Sequence, residues 1–228
     1  MEWYLEAAVA GHMMAQYTIG LNYAAGHNFY TIFDRIFNSE EHVDNNYNTF
    51  DQGTGRGFGK KKEGKTEGYG MDDDAIALEW FTRAANQGMA EAQFKAAALI
   101  FHKENLGNIN NTSPNTIQLN NFLMLAADRG HAIAQACVGR YCDIEFPKHD
   151  QGRAFDWYIK AAKQGHKVAQ YKIGFFYETG HNAMLDESEA VRWYRKSAEQ
   201  GHKEAQYKIG VFYQTGYGVG VNESKAVE

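Results

Sequence analysis

Apolar and small residues recur in the second half of this chain at helical spacing, and they do so twice in the same order. Trp157–Gly180 reads WYIKAAKQGHKVAQYKIGFFYETG and Trp193–Gly216 reads WYRKSAEQGHKEAQYKIGVFYQTG, an offset of 36 residues. In each copy an aromatic pair is followed four residues later by two small residues: Trp157-Tyr158 by Ala161-Ala162, Trp193-Tyr194 by Ser197-Ala198. That spacing sets large and small side chains on one helical face, where a second helix can approach closely. The run stops at a Gly, which takes the left-handed conformation without steric cost. A second helix starts at once and passes through Ala-Gln-aromatic to Gly174 or Gly210, with a Tyr three residues on. A mid-helix Gly costs about 1 kcal/mol relative to Ala. The missing Cβ therefore predicts close helix–helix contact, with the Tyr one turn on closing over it.

The landmark Gly, with Ala-Gln four residues later, recurs at Gly11, Gly88, Gly130, Gly165 and Gly201. The steps between them are 77, 42, 35 and 36 residues. A fixed period of this size marks a solenoid, whose units cannot bury their apolar faces alone. The pattern predicts about five two-helix units in one array over residues 1–228. The step of 77 holds either one unit with a long insertion or a unit too degenerate to recognise. The insertion spans about 27–70: Asn28–Phe37 is spaced as a short amphipathic helix, and Gly53–Gly70 is dense in Gly and Lys and reads as a flexible loop. A shorter, Asn-rich loop covers 103–114. Asp186 with Glu189, Ser113-Pro114, Asp72 and Asp150 are helix-start signals, and Gly180, Gly216 and Gly218 end the second helices. Both ends fall inside repeat sequence, which predicts a fragment of a longer array.

Composition narrows the function. The net charge is −5, which gives no global attraction to nucleic acid or anionic membrane. No apolar run approaches the ~18 residues of a membrane span, and MEWYLEAAVAGH lacks the pattern of a secretory signal. The two cysteines, Cys137 and Cys142, lie five apart on one helix, which suits free buried thiols better than a disulfide. A cytoplasmic setting is favoured.

The residues above resemble the Sel1-like repeats, relatives of the tetratricopeptide arrays. The signature is nearly complete in Phe155–Tyr177 and Val191–Tyr213, clear in Trp3–Tyr23 and Trp80–Ala97, and degenerate in Phe122–Cys142. The resemblance implies an all-α fold: an α/α solenoid, a right-handed superhelix of antiparallel helix hairpins. It implies a non-catalytic scaffold or adaptor that binds a peptide or partner protein in its concave groove. The alternative reading is a regulatory repeat arm of a larger multidomain protein, of the signalling or ER-associated degradation type. The implied groove positions lie on the second helices: Lys95 and Ala98, Arg140 and Asp143, Lys172, Phe175 and Glu178, and Lys208, Val211 and Gln214. There the lysines are expected to read acidic groups of a partner.

Candidate chemistry dissolves into repeat background. His12, His131, His166 and His202 each follow a landmark Gly, and translation by a whole unit spaces them roughly 18–20 Å apart, too far to share a metal. They read as helix-start residues, and the four Trp in their common slot read as packing. No nucleophile–base arrangement stands out. Gly59–Thr66, GKKKEGKT, matches a phosphate-binding loop pattern, but neither the preceding strand nor the following helix is present. Arg56, Lys60, Lys61, Lys62 and Lys65 around it form a mobile basic patch or simple disorder. No enzyme activity, metal or cofactor is expected, and the partner is a protein or peptide.

Overall fold

In the computed structural model the described residues are 2–25, 73–103, 114–144, 151–180 and 183–226. The insertion, the basic residues Arg56, Lys60, Lys61, Lys62 and Lys65, the GKKKEGKT run, and Asp72, Ser113 and Asp150 lie outside them. The described residues form eleven helices and no strand. They are α1 (Glu2–Val9), α2 (Met13–Tyr23), α3 (Asp73–Asn86), α4 (Ala90–Lys103), α5 (Pro114–Asp128), α6 (Ala132–Ile144), α7 (Gln151–Lys163), α8 (Lys167–Thr179), α9 (Glu187–Ala198), α10 (Lys203–Thr215) and the single turn α11 (Glu223–Ala226). Each packs on the next in order, giving an all-α solenoid.

Two residues join each aromatic-pair helix to the helix that follows, and both act twice. The landmark glycines have φ between 79° and 96°. At the first of them, the Gly11 N–H donates to Ala8 O at 3.0 Å and the His12 N–H to Ala7 O at 2.9 Å, the pair of hydrogen bonds that closes a helix C-terminus. The same pair recurs at Gly130-His131, Gly165-His166 and Gly201-His202. The imidazole then begins the next helix. Nδ1 of His12, His131, His166 and His202 accepts from the N–H of Ala15, Ala134, Ala169 and Ala205 at 3.2, 3.2, 3.3 and 3.4 Å. This is an N-cap made by histidine. Met89 stands in that slot before α4 and has no ring nitrogen to offer.

Three of the four mid-helix glycines serve close contact with a ring, and that ring comes from the following helix, whereas a Cβ on Gly210 would meet Ala226 O at 3.2 Å. A Cβ built on Gly20 would lie 2.7 Å from the Phe81 ring, on Gly139 2.9 Å from Tyr158, and on Gly174 3.0 Å from Tyr194. The Tyr one turn on, at 23, 177 and 213, lies on the same helix as the Gly and leaves this approach to its neighbour. Where the Trp80–Ala97 unit meets the degenerate one, the equivalent slots hold Ala97 and Leu123, a larger small residue against a smaller large one. Because Gly20 is locked to Phe81, α2 and α3 are stacked neighbours with no unit interposed between them.

A second lock joins unit to unit. The glutamine of each Ala-Gln pair donates back to a carbonyl of the preceding helix: Gln16 to Ala8 O, Gln135 to Ala127 O, Gln170 to Ala162 O. Its own oxygen accepts from the glutamine before the next landmark Gly: Gln87 to Gln16 at 2.7 Å, Gln164 to Gln135 at 2.8 Å, Gln200 to Gln170 at 2.7 Å. The series breaks once. Arg129 takes the place of that glutamine, its guanidinium lies against Gly88, and the buried Gln93 Oε1 has no partner among the described residues. The core is otherwise continuous from Ala24 to Trp193. Trp80, Trp157 and Trp193 are buried, while Trp3 is 84% exposed. Cys137 and Cys142 are buried thiols with no disulfide between them.

Candidate protein-interaction face

The implied groove residues fall on α4, α6, α8 and α10, the helices that carry the mid-helix small residue. Their charges are already answered within the array. Lys172 Nζ lies 3.5 Å from Asp143 of the preceding unit, and Lys208 Nζ lies 2.7 Å from Glu178 of the unit before it. Glu178 also accepts from the Tyr194 hydroxyl at 2.6 Å, which together with burial holds that phenol well above its ordinary pKa, burial being the larger cause. Asp143 is one methylene shorter than Glu178, and the equivalent Tyr158 hydroxyl, buried, has no partner among the described residues. In the N-terminal half the acid slot is not acidic, and Lys95 turns to Glu91 on its own helix at 3.3 Å. Glu91 in turn meets His131 Nε2 at 3.0 Å, and this bond, ahead of the opposing burial, keeps the carboxyl below its usual range.

Lys95, Ala98 and Arg140 are buried, and Asp143, Lys172, Glu178, Lys208 and Val211 are half-buried. Phe175 and Gln214 are exposed. Phe175 thus stands open at a slot filled by Ala98, Arg140 and Val211 in other units, between the ion pairs Asp143–Lys172 and Glu178–Lys208. Between α8 and α10 a shallow depression of about 370 Å³ is lined by Tyr171, Lys203, Glu204, Tyr207 and Lys208. The cross-unit pairs are the part that period analysis misses. Their signal is an acid and a lysine 29 or 30 residues apart, a spacing that links neighbouring units.

Among the described residues no group of three or more His, Cys, Asp or Glu could hold a metal ion, and no helix is long and apolar enough to cross a membrane. At the four capping histidines Nδ1 is spent on a backbone N–H. Burial, the largest cause, with the Lys167 charge second, brings His166 down to about 4. At His202, Glu204 Oε2 also stands 3.0 Å from Nδ1, while the capped N–H is the most distant of the four. A lone pair on that nitrogen serves the helix and a proton serves Glu204. Burial lowers the His202 pKa against the pull of Glu204, which favours the capping form.

Helix hairpins in register, joined by cross-unit locks, define a repeat scaffold. The Sel1 repeat model matches residues 65–89, 139–166, 167–202 and 203–228, together about half of the chain, and the chain belongs to the Sel1 repeat family. Members of that family generally act as non-catalytic protein–protein interaction modules. Two solved structures share the fold. A protective antigen present in uropathogenic Escherichia coli strains, displaying an SLR fold, superposes with a TM-score of 0.65 at 23% identity over 99% of this chain. A Sel1 repeat protein from Oxalobacter formigenes gives 0.54 at 29% identity over 67%. The chain spans 38% of the first and 59% of the second. Among curated proteins none matches it.

Proposed function

We propose that this chain is an interaction module that takes an extended peptide or a partner helix along the strip formed by α4, α6, α8 and α10, seated on Phe175. The observation that carries the reading is the exposure of Phe175, 40% open between two ion pairs. The pairs leave little net charge to attract a purely acidic ligand, so the seat favours an apolar side chain, with Lys172, Lys208, Asp143 and Glu178 as a polar rim. Apolar anchors of this kind carry a disproportionate share of binding energy.

Affinity capture with wild type, with Phe175→Asp and with residues 27–70 deleted tests this. Phe175→Asp should weaken a genuine partner by roughly thirty-fold or more, the ~2 kcal/mol of a hot-spot residue, and the deletion should leave it bound. A partner indifferent to Phe175→Asp but lost on deletion would move the site to the insertion. Phe175 is the cleaner probe, because Lys172→Ala and Lys208→Ala also break pairs within the array.

A further inference from the structure

The last two repeats can be laid over one another residue by residue at an offset of 36, and the differences between them are informative. Tyr177 of α8 corresponds to Tyr213 of α10. The positions that flank it change together: Ile159 of α7 becomes Arg195 of α9, and Glu189 of α9 becomes Lys225 of α11. The correspondence holds in the structure as well. The Lys225 N–H donates to Asn222 Oδ1 at 3.1 Å, as the Glu189 N–H donates to Asp186 Oδ1 at 3.0 Å. One slot with a single carboxylate has become a slot with two cations.

Both cations converge on the same phenol. Arg195 Nη2 donates to the Tyr213 hydroxyl at 2.8 Å, and its Cζ lies 5.9 Å from the ring centre. Lys225 Nζ lies 5.6 Å from that centre. Both side chains are exposed, and neither pairs with a carboxylate among the described residues. Both charges are gathered around one ring, at 5.9 and 5.6 Å from its centre; like charges held around one ring repel, and an anion bound between them relieves the repulsion. The ring face offsets only part of it. We infer that Arg195, Lys225 and the Tyr213 hydroxyl form a site for a doubly charged oxyanion of the phosphate-monoester type. The guanidinium fork, the ammonium and the phenol O–H supply donors to several oxygens of one group, and charge-assisted bonds of this kind are the strong ones. A carboxylate would answer only one of the two charges. The site is separate from the Phe175 seat and does not rest on it.

Titration of the full chain with inorganic phosphate, O-phosphoserine and acetate, followed through amide chemical shifts, tests the assignment. Phosphate and O-phosphoserine should shift Arg195, Tyr213 and Lys225 saturably, and acetate should bind at least about tenfold more weakly. Tighter binding of O-phosphoserine than of inorganic phosphate identifies a phosphorylated side chain as the source; the reverse order identifies free phosphate. Arg195→Ile with Lys225→Glu installs the residues that the preceding repeat carries in the same slots, so the fold tolerates them, and binding should be lost. Tyr213→Phe should weaken binding about fivefold, the loss of one hydrogen bond. The assignment falls if no saturable shift appears, if acetate binds as well as phosphate, or if the Ile/Glu variant, still helical and cooperatively melting, binds unchanged.

Discussion

His166 shows how much one residue does in this array. Its N–H closes α7, its ring nitrogen starts α8, and burial holds it neutral, with a pKa of about 4 against an ordinary 6.5. The folded state therefore resists a proton that the unfolded chain accepts. Above about pH 6.5 the ring is neutral in both states and the stability is fully present. It is lost as pH falls from there toward 4, by on the order of 3 kcal/mol, and is flat below. His166→Asn keeps a capping oxygen and removes the titration. Urea midpoints between pH 7 and 4 should fall less steeply in this variant than in the wild type. Parallel profiles would show that the ring is not the responsible group. His166→Ala removes the cap and should cost about 1 kcal/mol at pH 7.

At the scale of the helix, the lock between a mid-helix Gly and the next helix's ring decides the packing. Gly139→Ala gains about 1 kcal/mol of helix propensity and loses roughly 1–3 kcal/mol to overpacking against Tyr158, so the net should be destabilising. The chain carries its own remedy at Ala97 and Leu123. Gly139→Ala combined with Tyr158→Leu should therefore be less damaging than the two single changes added together, with a coupling of about 1 kcal/mol in a double-mutant cycle. Strict additivity would mean the two residues do not meet. The helices themselves were legible because two near-identical copies expose the period: Trp, Tyr, Ala-Ala, Gly-His and Ala-Gln sit at fixed offsets. The identity of the covering ring was not legible. Tyr177 and Tyr194 are equally aromatic, and only the hairpin geometry tells which of them meets Gly174. The lysines were legible as positions on α8 and α10, but their partners lie a unit away and stay hidden while each repeat is read by itself.

For the whole molecule, stability is a sum of units and of the joints between them. The joint between α4 and α6 differs from the rest: Met89 cannot cap, Arg129 replaces a glutamine, and the buried Gln93 Oε1 has no donor among the described residues. Arg129→Gln should restore the bond seen at Gln135–Gln164 and Gln170–Gln200 and raise stability by about 1 kcal/mol. The readout is the urea midpoint, and an unchanged midpoint would mean that Gln93 is satisfied in solution by some other group. The same joint carries the Lys95–Glu91–His131 cluster, so its chemistry is specialised rather than merely decayed.

The two kinds of connection in the array are unequal. From aromatic-pair helix to its successor the link is always the Gly-x turn, fixed by two backbone bonds and, at four of five turns, by a ring nitrogen. From the successor to the next aromatic-pair helix the link runs from Thr179 to Glu187 in one unit and from Tyr23 to Asp73 in another, yet Gly20 still meets Phe81 as Gly174 meets Tyr194. Closing a connection about seven times longer costs only about 2 kcal/mol. One margin of the solenoid is thus held at a fixed turn length, and the other tolerates a long connection at a modest entropic cost. That margin is a natural grafting position. An added peptide or small domain placed between α8 and α9 would hang from the array without disturbing a single stacked ring.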